Sequence, residues 1–263
     1  MLEYYPLSLK IYIYLITGLL GLVMGSGLNC LSARIAAGTK WTGNNRSACP
    51  KCGHTLGAKD LVPLFSWLFL KGKCRYCGAK ISPRYPLTEA LLAVCYVSLV
   101  AVFGLSLHTL SLMVLCSCLF CLSLVDLDTQ LIPHRFLIIP AVVRLAELLL
   151  DGGISALLSP VLTGLMLGGG ILVLSLIMDK ILKKDTMGGG DIKLLALLGL
   201  YFTASECLLL LISACVIGIV MAVILVNAKS DAAFPFGPAL SLAAWITLLI
   251  GKPLIGWYMS LFL

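Results

Sequence analysis

What constrains this chain most is the recurrence of long apolar runs with almost no charge inside them. The first, at about residues 11–33, contains no Asp, Glu, Lys or Arg and ends at Arg34. Inside a bilayer the backbone has no water to bond, so only helices or closed barrels cross it. A crossing helix needs about 20 apolar residues, and the first run supplies that. Further runs fall at about 87–104, 109–125, 136–150, 157–178, 192–202, 206–227 and 239–261. The expectation is an all-α polytopic membrane protein with about eight transmembrane helices. Composition agrees: 12% of residues are charged and 60% hydrophobic, against roughly a quarter charged in soluble domains. The first run is too long for a signal-peptide core and reads as a retained helix. Two runs are weaker than the rest. Arg144 and Glu147 interrupt the fourth, three residues apart and so able to pair on one helix face. The sixth is short.

Charge sets the orientation. The net charge is +7, and ten of the nineteen Lys and Arg lie between Arg34 and Arg84, where no long apolar run occurs. That bias marks a cytoplasmic loop, with anionic lipid headgroups as its neighbours and no nucleic acid implied. With both termini outside, Asp179 to Lys184 and the loop holding Lys229 and Asp231 also return to the cytoplasm. Glycines at Gly25-Ser26-Gly27 and at Gly164, Gly168, Gly169 and Gly170 suit close helix packing in lipid. The chain therefore divides into a first transmembrane helix (1–36), a cytoplasmic loop domain (37–86) and a transmembrane domain (87–263).

Within that loop, Cys49-Pro50-Lys51-Cys52-Gly53 and Cys74-Arg75-Tyr76-Cys77-Gly78 repeat one pattern. Each Cys-x-x-Cys turn presents two thiolates to one ion, and the glycine after it helps the turn close. Four thiolates make a closed tetrahedral site of the zinc-ribbon kind, structural because no position is left for water. A redox dithiol is the rival, but nothing thioredoxin-like surrounds either pair. His54 reads as a solvent residue, since four sulfurs fill the shell. The other seven cysteines lie in or beside apolar runs and read as small buried side chains.

Chemistry is suggested by Lys184-Asp185-Thr186-Met187-Gly188-Gly189-Gly190-Asp191-Ile192-Lys193. Three consecutive glycines permit positive φ and a sharp turn. Asp191 then stands at the head of an apolar helix, where an acid is either an N-cap or functional. A second acid, Asp126, ends the third run on the same side of the membrane, with Asp128 as a substitute. Two carboxylates brought together share a proton, and one then activates water while the other protonates a scissile carbonyl. Asp179 and Asp185 read as loop charges offsetting the nearby lysines. An Asp-x-Asp pair holding a divalent cation with phosphates is the other use of Asp126 and Asp128. Two further readings fit the acids: a transporter or channel using them for protons or cations, and a zinc-stapled scaffold without activity.

Taken together and in order, these motifs resemble the type IV prepilin leader peptidases, bifunctional prepilin peptidase and N-methyltransferase enzymes of the Gly-x-Gly-Asp aspartic protease class. The resemblance covers Gly25-Ser26, Leu28-Asn29 and Arg34, the paired Cys-x-x-Cys loop, and Asp60-Leu61-Val62-Pro63-Leu64-Phe65-Ser66-Trp67 between its halves. Ile81-Ser82 and Arg84-Tyr85-Pro86-Leu87-Thr88-Glu89 follow. Asp126 stands seven residues before the proline of Ile132-Pro133, Gly188-Gly189-Gly190-Asp191-Ile192-Lys193 matches the second catalytic motif, and Phe236-Gly237-Pro238 comes near the end. Departures are Gly27, Ile35-Ala36 and His134. The resemblance implies Asp126 and Asp191 as the catalytic pair and Gly188, Gly189, Gly190 and Lys193 as a loop admitting substrate. It implies a structural zinc on Cys49, Cys52, Cys74 and Cys77, and S-adenosylmethionine as methyl donor. The substrates would be prepilins or pseudopilins of pili or type II secretion, cut at the cytoplasmic edge of the bacterial inner membrane. No glycine-rich fingerprint places the methyl donor.

Overall fold

The structure, a computed structural model, describes residues 6–39, 46–184, 186–226 and 235–261. Asp185, Lys229 and Asp231, expected as loop charges, lie outside the described residues. The chain forms two compact units, Met1–Thr109 and Leu110–Leu263.

In the first unit, α1 (Leu7–Ala36) lies along α3 (Arg84–Phe103), with the cysteine loop and the short α2 (Phe65–Phe69) between them in sequence. The two long helices meet through glycines four residues apart. A Cβ at Gly21 would sit 2.5 Å from Ala93 Cα, and one at Gly25 would sit 3.0 Å from Glu89 Cα. Gly27 meets nothing within 4 Å, so the packing expected of Gly25-Ser26-Gly27 rests on Gly25, with Gly21 as its partner one turn earlier. Ile11, Leu15, Ile16, Leu19 and Val23 of α1 are exposed. In water such a stripe would be a liability; against lipid it is the expected outer face. Near the end of α1, Asn29 Nδ2 donates to Thr88 Oγ1 at 2.6 Å, pinning it to the start of α3.

The second unit is built on α4 (Leu107–Thr129), whose Leu112, Leu115, Leu122 and Val125 are almost fully buried. Around it stand α5 (Arg135–Gly152), α6 (Leu158–Leu182), α7 (Gly189–Leu198), α8 (Ala204–Val226) and α9 (Gly237–Met259). Among the described residues no extended strand forms; only two isolated bridges occur, both in the cysteine loop. The fold is all-α, as expected.

Among the described residues, six helices are long and apolar enough to cross a membrane: α1, α3, α4, α6 with the short turn before it, α8 and α9. The chain is a multi-pass membrane protein. Helices do stand at the other two expected places, but α5 carries Arg135, Arg144, Glu147 and Asp151 and α7 is short, so neither is among the six and a count of eight is not confirmed. At ten residues, α7 is about 15 Å long, half of a bilayer core of about 30 Å. Its Leu194, Leu195, Leu197 and Leu198 are buried by protein. Tight contacts hold it: a Cβ at Gly168 of α6 would come 2.5 Å from Ala196 Cβ, and one at Gly199 would come 2.6 Å from Gly164 Cα. Gly169 and Gly170 meet nothing within 4 Å and play no such part.

Arg144 and Glu147 pair on α5 at 2.7 Å, as their spacing suggested. Arg144 Nε also donates to Leu200 O at 3.1 Å, and Tyr201 Oη donates to Pro140 O at 2.8 Å. The charged interruption of the fourth run therefore ties α5 to the turn that ends α7.

Candidate active site and metal centre

Asp126 sits in the last turns of α4, 4% exposed. Its Oδ2 accepts a hydrogen bond of 3.0 Å from the Gly237 N–H, at the first residue of α9. The first N–H groups of a helix have no intrahelical partner, so α9 offers this donor by virtue of where it starts. The approach needs glycine: a Cβ at Gly237 would lie 2.7 Å from Asp126 Oδ2 and 3.2 Å from Leu122 Cδ2. Asp128, two residues on and so on another helix face, is exposed.

Asp191 lies in the first turn of α7. The N-cap is Gly188, with no side-chain cap bond, so Asp191 does not cap the helix. Its Oδ1 is buried and has no hydrogen-bond partner among the described residues. Buried polar atoms in native structures are nearly always paired; Asp191 Oδ1 is one of few exceptions among the described residues, and it belongs to a carboxylate close enough to Asp126 to feel its charge.

The turn into α7 differs from the expectation of positive φ. None of Gly188, Gly189 and Gly190 is in that region; Gly188 has φ −65° and ψ 134°. The glycines serve close approach instead. A Cβ at Gly190 would lie 2.8 Å from Ile132 Cβ, which joins the start of α7 to the segment after α4. Gly188 leaves room for the Asp191 carboxylate, 3.2 Å from where its Cβ would be. Gly189 meets nothing within 4 Å and Lys193 is exposed. Asp179, expected as a loop charge, instead falls inside α6, and its Oδ1 accepts from Thr186 N at 2.7 Å and Thr186 Oγ1 at 2.6 Å.

Sequence reasoning quoted Phe236-Gly237-Pro238 without a role for it. The structure gives Gly237 one, and the signal was there: Pro238 in the first turn of an apolar run marks a helix start.

The four cysteines of the first unit come together. Cys49, Cys52, Cys74 and Cys77 place their Sγ atoms within 4.8 Å of one another, a set able to hold a metal ion. A tetrahedral shell with metal–sulfur bonds of about 2.3 Å has sulfur–sulfur edges of about 3.8 Å, and Cys49 Sγ lies 3.9 Å from Cys77 Sγ. The two knuckles are built alike. Gly53 N donates to Cys49 O and Gly78 N to Cys74 O, both at 2.9 Å, and both glycines have φ +68°, a value a side chain would resist. Backbone N–H groups of Cys52 and Lys51 pull the Cys49 thiol down to about 6, toward the thiolate a metal requires. His54 does not join the cluster; it stacks on Tyr76, ring centroids 3.6 Å apart. Asp60 links the second knuckle to the rest of the loop, accepting from Arg75 Nε at 2.7 Å and Tyr76 Oη at 3.0 Å. The Arg75 hydrogen bond holds the Asp60 carboxyl below its ordinary range.

Both units match known protein families. Residues 19–103 match a bacterial peptidase A24 N-terminal domain, and residues 113–223 match the type IV leader peptidase family. A protein of Aeromonas hydrophila described as a prepilin leader peptidase/N-methyltransferase is 36% identical over 83% of this chain and 76% of its own length. One of Pseudomonas aeruginosa with the same description is 33% identical over 94% of this chain and 93% of its own. An Escherichia coli protein, described as a type 4 prepilin-like proteins leader peptide-processing enzyme, is 35% identical over 77% of this chain and 75% of its own. No solved structure gives a significant match. With relatives this similar over most of their length, the chain belongs to the type IV leader peptidase family.

Proposed function

We propose that this protein is a membrane-embedded aspartic endopeptidase that removes the short basic leader from prepilin-like substrates and then methylates the new N-terminus. The observation that carries the peptidase reading is that two carboxylates from separate helices come near enough to interact, Asp126 buried and Asp191 half-buried with one oxygen fully enclosed. One is anchored by the Gly237 N–H, and the other has an oxygen left without a partner. Asp126 and Asp191 share one proton. The ionised member takes a proton from water as that water attacks the scissile carbonyl; the protonated member gives its proton to the carbonyl oxygen. No metal is needed at this pair. The substrate backbone approaches over Gly188, Gly189 and Gly190, where the open space around Gly189 supports an extended chain, and Lys193 borders the approach.

The second unit is the peptidase domain, and the cysteine loop is a zinc-binding domain. Zinc on the four thiolates staples the loop and leaves no position for water. Lys180, Lys183 and Lys184 lie just ahead of the α7 turn, which puts the pair at the cytoplasmic edge of the inner membrane by the positive-inside rule. A transporter reading explains the acids but not the cysteine cluster.

The test is mass spectrometry of a prepilin co-expressed with the full chain. Wild type should give a product cut after the leader and heavier by one methyl group. Asp126→Asn and Asp191→Asn should each lower cleavage at least about 100-fold while the protein still inserts. Wild-type cleavage in both variants would overturn the assignment.

A further inference from the structure

One side of the short helix α2 is left open. Phe65, Leu68 and Phe69 stand at i, i+3 and i+4, a single helix face, and all three are exposed, Phe69 to 82%. The opposite side is turned inward. Trp67 Nε1 donates to Ile81 O at 3.2 Å, and Gly72 fits against the indole, where a Cβ would lie 2.9 Å from Cζ2. Ser66, Trp67 and Leu70 help to wall a cavity of about 660 Å³ between the end of α1, the cysteine knuckles and the start of α3, and the three open side chains take no part in that wall. Two phenylalanines and a leucine gathered on the outside of a loop domain form a patch that calls for an occupant.

The occupant follows from the level at which α2 is held. Leu64, directly before α2, has φ 61° and ψ −53°, and Phe65 N donates to Pro63 O at 2.6 Å, a positive-φ γ-turn. The turn aims the Leu64 N–H at Glu89, whose Oε2 accepts it at 2.7 Å. Strain of this kind persists where the surroundings over-determine it, and here the over-determining partner is α3. Glu89 is not at the end of that helix. It lies five residues past Arg84, about 7.5 Å along the axis. Outward-facing apolar residues have begun by then: Leu87 is exposed, and so is Tyr85 before it, an aromatic of the kind that marks the headgroup level. The first span gives the same level independently. Gly25 packs on Glu89, and the last large apolar residues exposed on α1 are Val23 and Met24, just ahead of that contact. The start of α2 is therefore tied to the rim of the apolar zone of both spans.

Charge points the same way. Lys71 and Lys73 follow α2 directly and are exposed. Lysines lay their stems along apolar surface while the ammonium stays in water, and beside a bilayer they attract anionic headgroups. We propose that α2 is an interfacial anchor: Phe65, Leu68 and Phe69 enter the acyl boundary of the leaflet where α1 ends and α3 begins, and Lys71 and Lys73 meet anionic phospholipid headgroups. Segments lying in the membrane plane bury their apolar face about 5–10 Å deep, which is the depth the Leu64–Glu89 bond fixes. The anchor is independent of the peptidase reading. It gives the cysteine loop a third attachment to the membrane, besides the two helices that carry it.

The experiment uses the full chain in nanodiscs of phosphatidylcholine and phosphatidylglycerol in equal amounts, with the photo-cross-linking residue p-benzoylphenylalanine in place of Phe69. The replacement keeps an aromatic ring at an open position, and thermal melting compares it with wild type. The same probe in place of Leu68 gives a second reading of the face should the first variant melt early. After illumination, adducts are identified by mass spectrometry, with and without prepilin added to the disc. Both probes should capture phospholipid through its acyl chains, with phosphatidylglycerol about fivefold in excess. Lys71→Gln with Lys73→Gln should bring the two lipids back to parity. Adducts that fall instead on residues 110–261, on a second copy or on prepilin, or the absence of any lipid adduct, would overturn the bilayer as occupant. Lipid adducts whose proportions do not change with the two lysines would overturn the part given to those side chains.

Discussion

At the residue scale, the sharpest dependence is that of Asp126 on a glycine 111 positions later. Gly237→Ala puts a methyl group where Asp126 Oδ2 now lies within 2.7 Å, so the carboxylate must move. A displacement of about 1 Å at reacting groups costs up to about 100-fold in rate. Leader cleavage by Gly237→Ala should fall about 10- to 100-fold, with the protein still folded in a melting assay; an unchanged rate would remove the role given to this N–H. Gly189→Ala tests something different. Its methyl would enter open space, so stability should not change, and a raised KM for prepilin would identify that space as the path of the substrate backbone. A KM equal to wild type would place the substrate elsewhere. Both acids were readable from sequence because an ionisable group beside an apolar run is costly and conspicuous. The Gly237 contact was not, since nothing local in a Gly-Pro helix start says which distant oxygen will meet it.

At the scale of elements, α7 shows what a hydropathy reading does not distinguish. Its leucines face α6 and other protein neighbours, yet an apolar run reads the same against protein or lipid. Its ten residues make about half a crossing. Because α7 carries Asp191 and is seated through glycines, the seat should control the chemistry. Gly168→Leu forces a side chain into the 2.5 Å gap against Ala196; overpacking of this kind costs about 1–3 kcal/mol. The melting temperature should drop and leader cleavage with it, whereas Gly169→Leu, with nothing within 4 Å, should leave both near wild type. Equal effects from the two would show that α7 is not positioned this way. The Arg144–Glu147 pair was legible as a pair from its spacing, but its bonding to the turn after α7 was not. That bond joins residues 56 positions apart, beyond what periodicity encodes.

At the scale of the whole molecule, the chain is two compact units, each closed on its own contacts. The cysteine cluster and the cavity beside it lie in the first, the carboxylate pair in the second. If the four thiolates hold zinc as proposed, a chelator should unravel the loop, because metal-binding energy is folding energy in a site of this kind. Limited proteolysis should then cut within residues 46–82. Proteolysis that is the same with and without chelator would show that the thiolates hold nothing together. The broad architecture was legible because lipid demands helices, and long apolar runs announce them. The division at residue 109 was not, because the apolar runs on either side of it read alike.

The likeness of the two cysteine turns has a consequence for synthesis. Each closes on bonds internal to itself: Cys49 N to His54 O and Leu56 N to Ser47 O in one, Cys74 N to Ala79 O and Ile81 N to Gly72 O in the other. A nascent chain that has emerged only as far as residue 56 already presents a complete two-sulfur claw. A metal ion bound by the proposed site would then be held weakly at first, and the later turn would complete its shell.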